Sequence, residues 1–129
     1  MKKVIIASGP VIVRDGKVLL DISGEDDFWK FCGGKIKEDL NLKETAKFRA
    51  KEELGIEINF RNEDPFIISL PKPGEEEKDI VLIHFLADCS GEIIPGEMVR
   101  DWKWLDIDNL PNNLAPNIIL ALKHFGFLE

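Results

Sequence analysis

The chain has 129 residues, one domain's worth, and its 44% hydrophobic fraction is enough to bury a respectable core. A formal charge of −7 argues against non-specific binding to nucleic acid duplexes or anionic membranes. It leaves an anionic small substrate open, because metal ions bridge acids to phosphate.

In chain order, Val4 to Val13 reads as a strand with Gly9-Pro10 as a bulge or kink. Asp15-Gly16 signals a hairpin turn into a second strand, Val18 to Ile22. The opening Met1-Lys2-Lys3 and Val4 to Ala7 are too short for a signal peptide's apolar core, and no run reaches membrane-spanning length. Ser23 to Asp27 is an acidic loop. Phe28, Trp29 and Phe31 follow, as core residues or, for one of them, as a wall facing the base of a substrate. Cys32 and Cys89 lie far apart without metal-ligand spacing, which fits a reducing cytoplasm.

Gly33 to Ile56 is the organising stretch: a glycine-rich loop feeding a helix. Asn41 is the N-cap, and Glu44 three residues on completes a capping box. Leu42, Ala46, Ala50 and Leu54 form one apolar stripe, and Gly55 closes the helix. Glu52 and Glu53 fall along one edge of that stripe, in the last turn, where the helix dipole disfavours negative charge. Two compensations are available: pairing with Arg49 at i+3 and i+4, or a bound divalent cation such as Mg²⁺.

Beyond the helix, Ile56 to Phe60 alternates like a half-buried strand and Phe66 to Leu70 is a short one. Pro71 to Asp79 reads as a loop carrying the solvated run Glu75-Glu76-Glu77. Ile80 to Cys89 is a central strand buried on both faces, with His84 as a satisfied core histidine. Glu97 to Leu105 is the last strand. Pro116 opens a closing helix over Asn117 to Phe125, with His124 on the surface. The expected core is Val4, Ile6, Val13, Leu19, Ala46, Ala50, Ile56, Ile83, Phe85, Trp104, Ile119 and Leu122.

The segment from Gly33 to Ile56 resembles the Nudix box of enzymes that cleave nucleoside diphosphates linked to another group. Gly33, Gly34, Ala50, Glu52, Glu53, Gly55 and Ile56 fit the box in register without a gap. Three positions depart from it. Leu40 and Phe48 stand where the family has Glu and Arg, and an apolar contact between them would replace an ion pair. Arg49 stands where the family has the Glu that binds metal or helps activate water.

The resemblance implies an α/β fold over residues 1–129, a mixed sheet sandwiched between helices. It implies a pyrophosphohydrolase with Mg²⁺ or Mn²⁺ held by Glu52 and Glu53, and a further acid to activate water. Glu97 is the first choice for that acid, ahead of Asp101 and Glu92. Gly33, Gly34, Arg49, Trp29 and Phe31 are the substrate-binding candidates. The alternative is a Nudix-fold nucleotide- or ligand-binding module without hydrolysis, with Arg49 forking onto phosphate. Family members often pair, so a homodimer belongs to the same expectation.

Overall fold

The computed structural model describes residues 2–129, leaving Met1 outside. Seven strands, β1 (Lys3–Arg14), β2 (Lys17–Ser23), β3 (Gly34–Lys35), β4 (Glu57–Phe60), β5 (Phe66–Lys72), β6 (Glu75–Ser90) and β7 (Val99–Asp106), form one mixed sheet. Its order is β4-β6-β1-β2-β7, with β3 added to β1 and β5 to β6. Two helices, α1 (Leu42–Leu54) and α2 (Ile118–His124), complete the α/β fold.

The parallel pair β1–β6 forms the centre, in register from Lys3↔Lys78 to Ile12↔Ala87. That register runs through Gly9 and Pro10 without a shift, so the expected bulge is absent. The opposite edge of β1 explains how a proline fits there. β3 pairs with it at Ala7 and Ser8, and β2 at Val13 and Arg14. Pro10 falls between the two partners, where its missing N–H costs no ladder bond. The expected loop at Pro71 to Asp79 is a tight hairpin instead. Gly74, at φ 81°, makes the turn, and β6 starts at Glu75.

Each face of the sheet carries its own core, because successive strand residues point to opposite sides. On the α2 side, Val11, Val18, Leu20, Trp29, Phe31 and Leu86 pack with Ile118, Ala121 and Leu122. On the α1 side, Ile12, Leu19, Cys32, Ile58 and Ala87 pack with Ala46, Ala50, Leu54 and Ile56. The box helix and the closing helix therefore cover opposite faces.

Val4 and Ile6, expected inside, are 54% and 44% exposed, while Ile5 and Ala7 are buried. They share the face of Ser8, whose hydroxyl donates to the Leu42 carbonyl at 2.8 Å. α1 starts at that point, so the strand positions before Ser8 run out beyond its cover. Ile119 is only half-buried, because the inward stripe of the short α2 is Ile118, Ala121 and Leu122. Val13 and Trp104 are half-buried at the margins of the two cores.

Candidate active site

The box helix is built as its sequence dictates. Asn41 accepts from the Glu44 N–H at 2.8 Å, and the Glu44 carboxylate accepts from the Asn41 N–H at 3.1 Å. Gly55 closes the helix at φ 71°, donating to the Lys51 carbonyl at 3.0 Å. The loop after β6 then wraps this end. The Ile94 N–H donates to the Leu54 carbonyl at 2.8 Å and the Gly96 N–H to the Glu53 carbonyl at 2.7 Å, satisfying acceptors the helix leaves open. Gly96 is needed for this, since a Cβ there would lie 2.6 Å from the Glu52 carbonyl oxygen.

That docking carries Glu97 to the two box acids. Glu52, Glu53 and Glu97 border one cleft of about 400 Å³ with Ser23, Met98 and Val99. No sequence spacing marks Glu97; the signal lies in the capping of α1 by its neighbour Gly96. Asp101 instead folds back, its carboxylate accepting from the Trp102 N–H at 2.8 Å, and Glu92 is exposed outside the cleft.

The two box acids differ in setting. Glu52 is exposed and pairs with Arg49 at 2.9 Å. Glu53 turns toward the sheet and accepts weakly from the Gly33 N–H, at 3.4 Å. Burial pushes its carboxyl well above the usual range, and the neighbouring Asp21 carboxyl pushes it further, while Lys30 pulls it back. Asp21, on β2, is also raised by burial, with Lys30 opposing. Burial raises the Cys32 thiol as well, and the charges of Glu53 and Asp21 add to that effect. Sequence reasoning missed Asp21. It looks like one more position in an alternating strand until Glu53 is folded against it.

Arg49 is fully engaged. Its Nε and Nη2 donate to the Lys35 carbonyl at 3.1 and 3.0 Å, and Nη1 reaches Glu52. Its side chain lies against Gly34, where a Cβ would come within 3.0 Å of it. Phe48, 38% exposed, presents its ring to the Lys37 ammonium at 4.5 Å and to the Arg49 guanidinium at 5.4 Å. Two cations therefore sit on this ring. The Glu75 carboxylate is held low by hydrogen bonds from Lys72 and Lys78 in the β5–β6 hairpin, away from the cleft.

Gly33 lines a second cavity. At φ 141° it presses on β1, where a Cβ would lie 2.6 Å from the Ser8 carbonyl oxygen. The cavity, about 260 Å³, runs from Gly33 and Gly34 past Phe28, Phe31 and His84 to Asn117, with Lys30, Lys35 and Lys72 along it. His84 contacts the Gly9 carbonyl at 3.3 Å through Nδ1, and its Nε2 lies 2.9 Å from the Asn117 side-chain nitrogen. A neutral ring protonated at Nδ1 satisfies both contacts, and burial lowers the His84 pKa to about 4. Asn117 gives no side-chain cap to α2, because its amide is used on His84. Phe31 meets the His84 ring edge-on at 4.8 Å and lines the cavity. Trp29 lies in the core and borders neither opening.

Among the described residues, no three His, Cys, Asp or Glu side chains stand ready as a metal cage. The donors present nevertheless suit Mg²⁺ or Mn²⁺. They are hard carboxylate oxygens, and Mg²⁺ is usually bound through one or two carboxylates, several waters and substrate phosphate. The buried Asp21 carboxylate without a hydrogen-bond partner adds negative charge that a cation would offset.

Comparison with known proteins agrees with this geometry. The family model described as NUDIX domain matches residues 5–125. A MutT NUDIX hydrolase from Burkholderia pseudomallei superposes with a TM-score of 0.80 at 25% identity, covering 95% of this chain and 98% of that one. The E. coli ORF135 protein superposes with a TM-score of 0.76 at 27% identity, covering 96% and 89%. A MutT protein from Methanosarcina mazei, at 21% identity and a TM-score of 0.80, covers 96% and 94% and shares the fold. No curated protein matches the chain. With the family pattern running from the first strand into the closing helix, the chain belongs to the Nudix family.

Proposed function

We propose that this protein is a divalent-metal-dependent Nudix pyrophosphohydrolase acting on a small substrate with a nucleoside diphosphate linked to another group. The observation that carries the reading is the loop after β6, which caps α1 and brings Glu97 to the cleft of Glu52 and Glu53. The adjoining cavity supports the substrate class. It offers aromatic walls at Phe28 and Phe31 for a base and Lys35 for phosphate, with the paired Lys30 and Lys72 adding positive charge.

Glu52 and Glu53 would hold Mg²⁺ or Mn²⁺, which when bound polarises a phosphoryl oxygen and lowers the pKa of a water. The Gly33 N–H fixes Oε2 of Glu53 toward the loop. Glu97, exposed on the cleft rim, takes the proton of the attacking water. Lys35 binds the phosphate oxygens. Both cysteines are free and buried, in keeping with a cytoplasmic protein.

The binding-module reading, with Arg49 on phosphate, is the less favoured, because three of the five Arg49 N–H groups already serve the Lys35 carbonyl and Glu52. Phosphate and pyrophosphate release should be assayed on a panel of nucleotide sugars, dinucleoside polyphosphates, oxidised nucleotides and capped RNA ends with Mg²⁺ and Mn²⁺. Turnover that Glu53→Gln and Glu97→Gln each abolish is the expected result. No turnover with either metal, alongside a nucleotide that still raises the melting temperature, would replace the hydrolase with the binding module.

A further inference from the structure

Asp21 acts on the acidic cleft through its charge, and its position on the fold allows more. It lies on β2 on the face that α1 covers, two residues from Leu19 of the same core. It is 0% exposed, and neither carboxylate oxygen has a hydrogen-bond partner among the described residues. Its backbone is satisfied. The Asp21 N–H donates to the Lys30 carbonyl, and the Lys30 N–H donates back, both at 2.9 Å. The side-chain oxygens have no donor facing them when both Asp21 and Glu53 are ionised.

The charged groups facing it are Glu53 from α1 and Lys30 from the neighbouring loop. The Lys30 ammonium is taken by Asp26 at 3.0 Å. The Glu53 carboxyl is within hydrogen-bonding reach, which two ionised acids cannot use. Burying a carboxylate without a donor is costly, and a second acid beside it makes it costlier. Meanwhile Arg49 has replaced negative charge with positive on the same helix end.

We infer that Asp21 supplies a carboxylate to the divalent-cation site, reaching it from β2 beside Glu53 and restoring the negative charge that Arg49 removes from α1. This deepens the metal-dependent reading and rests on it. A cation between the two acids turns their repulsion into shared coordination and supplies the partner that the Asp21 oxygens lack. The competing role is purely structural: the two acids share one proton, and Asp21 steadies Glu53 without meeting the cation.

Mn²⁺ binding to the full chain, followed by calorimetry and by the Mn²⁺ electron paramagnetic resonance spectrum, separates these roles. Asp21→Asn keeps the shape, and its added amide donor gives Glu53 a hydrogen bond, so the metal-free variant should melt no lower than wild type. Its Mn²⁺ affinity should fall by about 10–100-fold and the Mn²⁺ spectrum should change with the loss of a coordinating carboxylate; weaker binding with an unchanged spectrum would make Asp21 a positioning residue and overturn the inference. Asp21→Ser should lose the same affinity, and it stands in if the asparagine variant misfolds. Wild-type affinity in a folded Asp21 variant, with binding abolished in Glu53→Gln, would overturn the inference and leave the metal-dependent enzyme standing. Absence of Mn²⁺ binding in wild type would overturn both.

Discussion

Arg49 shows how one substitution reshapes a site without dismantling the loop. Its guanidinium ties the Lys35 carbonyl to Glu52 and rests on Gly34, so it braces the loop from the position of a family acid. Arg49→Glu should therefore cost about 1 kcal/mol of stability through the lost bonds. It should also raise Mn²⁺ affinity about tenfold, by freeing Glu52 and adding a carboxylate, equivalent to roughly 1.4 kcal/mol. Denaturant titration and calorimetry read the two effects separately, and unchanged affinity would show that Arg49 does not compete at the site. His84 makes a second prediction. Its folded pKa of about 4 lies below the ordinary histidine value of 6.5, so the unfolded chain binds the extra proton first as pH falls. Its contribution is complete above pH 6.5 and is lost between 6.5 and about 4, amounting to about 3 kcal/mol. Glu53 and Asp21 titrate with the opposite sign, so the measurement is the difference between wild type and His84→Gln against pH. A difference flat from pH 7 to 4 would mean that His84 is not held neutral.

At the scale of elements, the helix was legible and its surroundings were not. Asn41, Glu44 and Gly55 announce the boundaries of α1 because capping is local chemistry, written within a few residues. Asn41→Ala should cost about 1 kcal/mol, checked by thermal or denaturant unfolding. Gly55→Ala should cost more, since its left-handed backbone lies against Ile94, whose carbonyl would be 3.0 Å from a Cβ. Glu97 could be ranked first among loop acids but not located, because its position depends on Gly96 capping a helix more than forty residues earlier. Asp21 was illegible for the same reason: its partner Glu53 arrives by tertiary folding. Val4 and Ile6 misled because alternation reports which residues share a face, whereas burial depends on where α1 begins to cover it. The Glu75-Glu76-Glu77 run reads as a solvated charge run by sequence, whereas the Pro73-Gly74 turn and the lysines at 72 and 78 hold it in the hairpin.

Across the whole molecule, Gly33 lines the cavity while its N–H reaches Glu53 of the acidic cleft, and the β1–loop crossing holds that loop in place. A Cβ on Gly9 would lie 2.2 Å from the Cys32 carbonyl oxygen, so strand and loop touch backbone to backbone. Gly9→Ala should cost about 2 kcal/mol or more and weaken metal and substrate binding together, since both clefts share the displaced loop. Wild-type stability and Mn²⁺ affinity in that variant would show the crossing to be slack. The parallel centre has a consequence in time as well as space. Gly9 faces His84, 75 residues later in the chain, and Lys17 faces Asp106. While the ribosome is still at work, the first hairpin and α1 can form from local contacts, but β1 must wait for β6 to emerge before its inner edge is closed. Val11 and Ile12, fully buried at the end, spend that interval uncovered. A nascent chain stalled before β6 should accordingly bind holdase chaperones and be digested readily by protease, and one released beyond β7 should resist both.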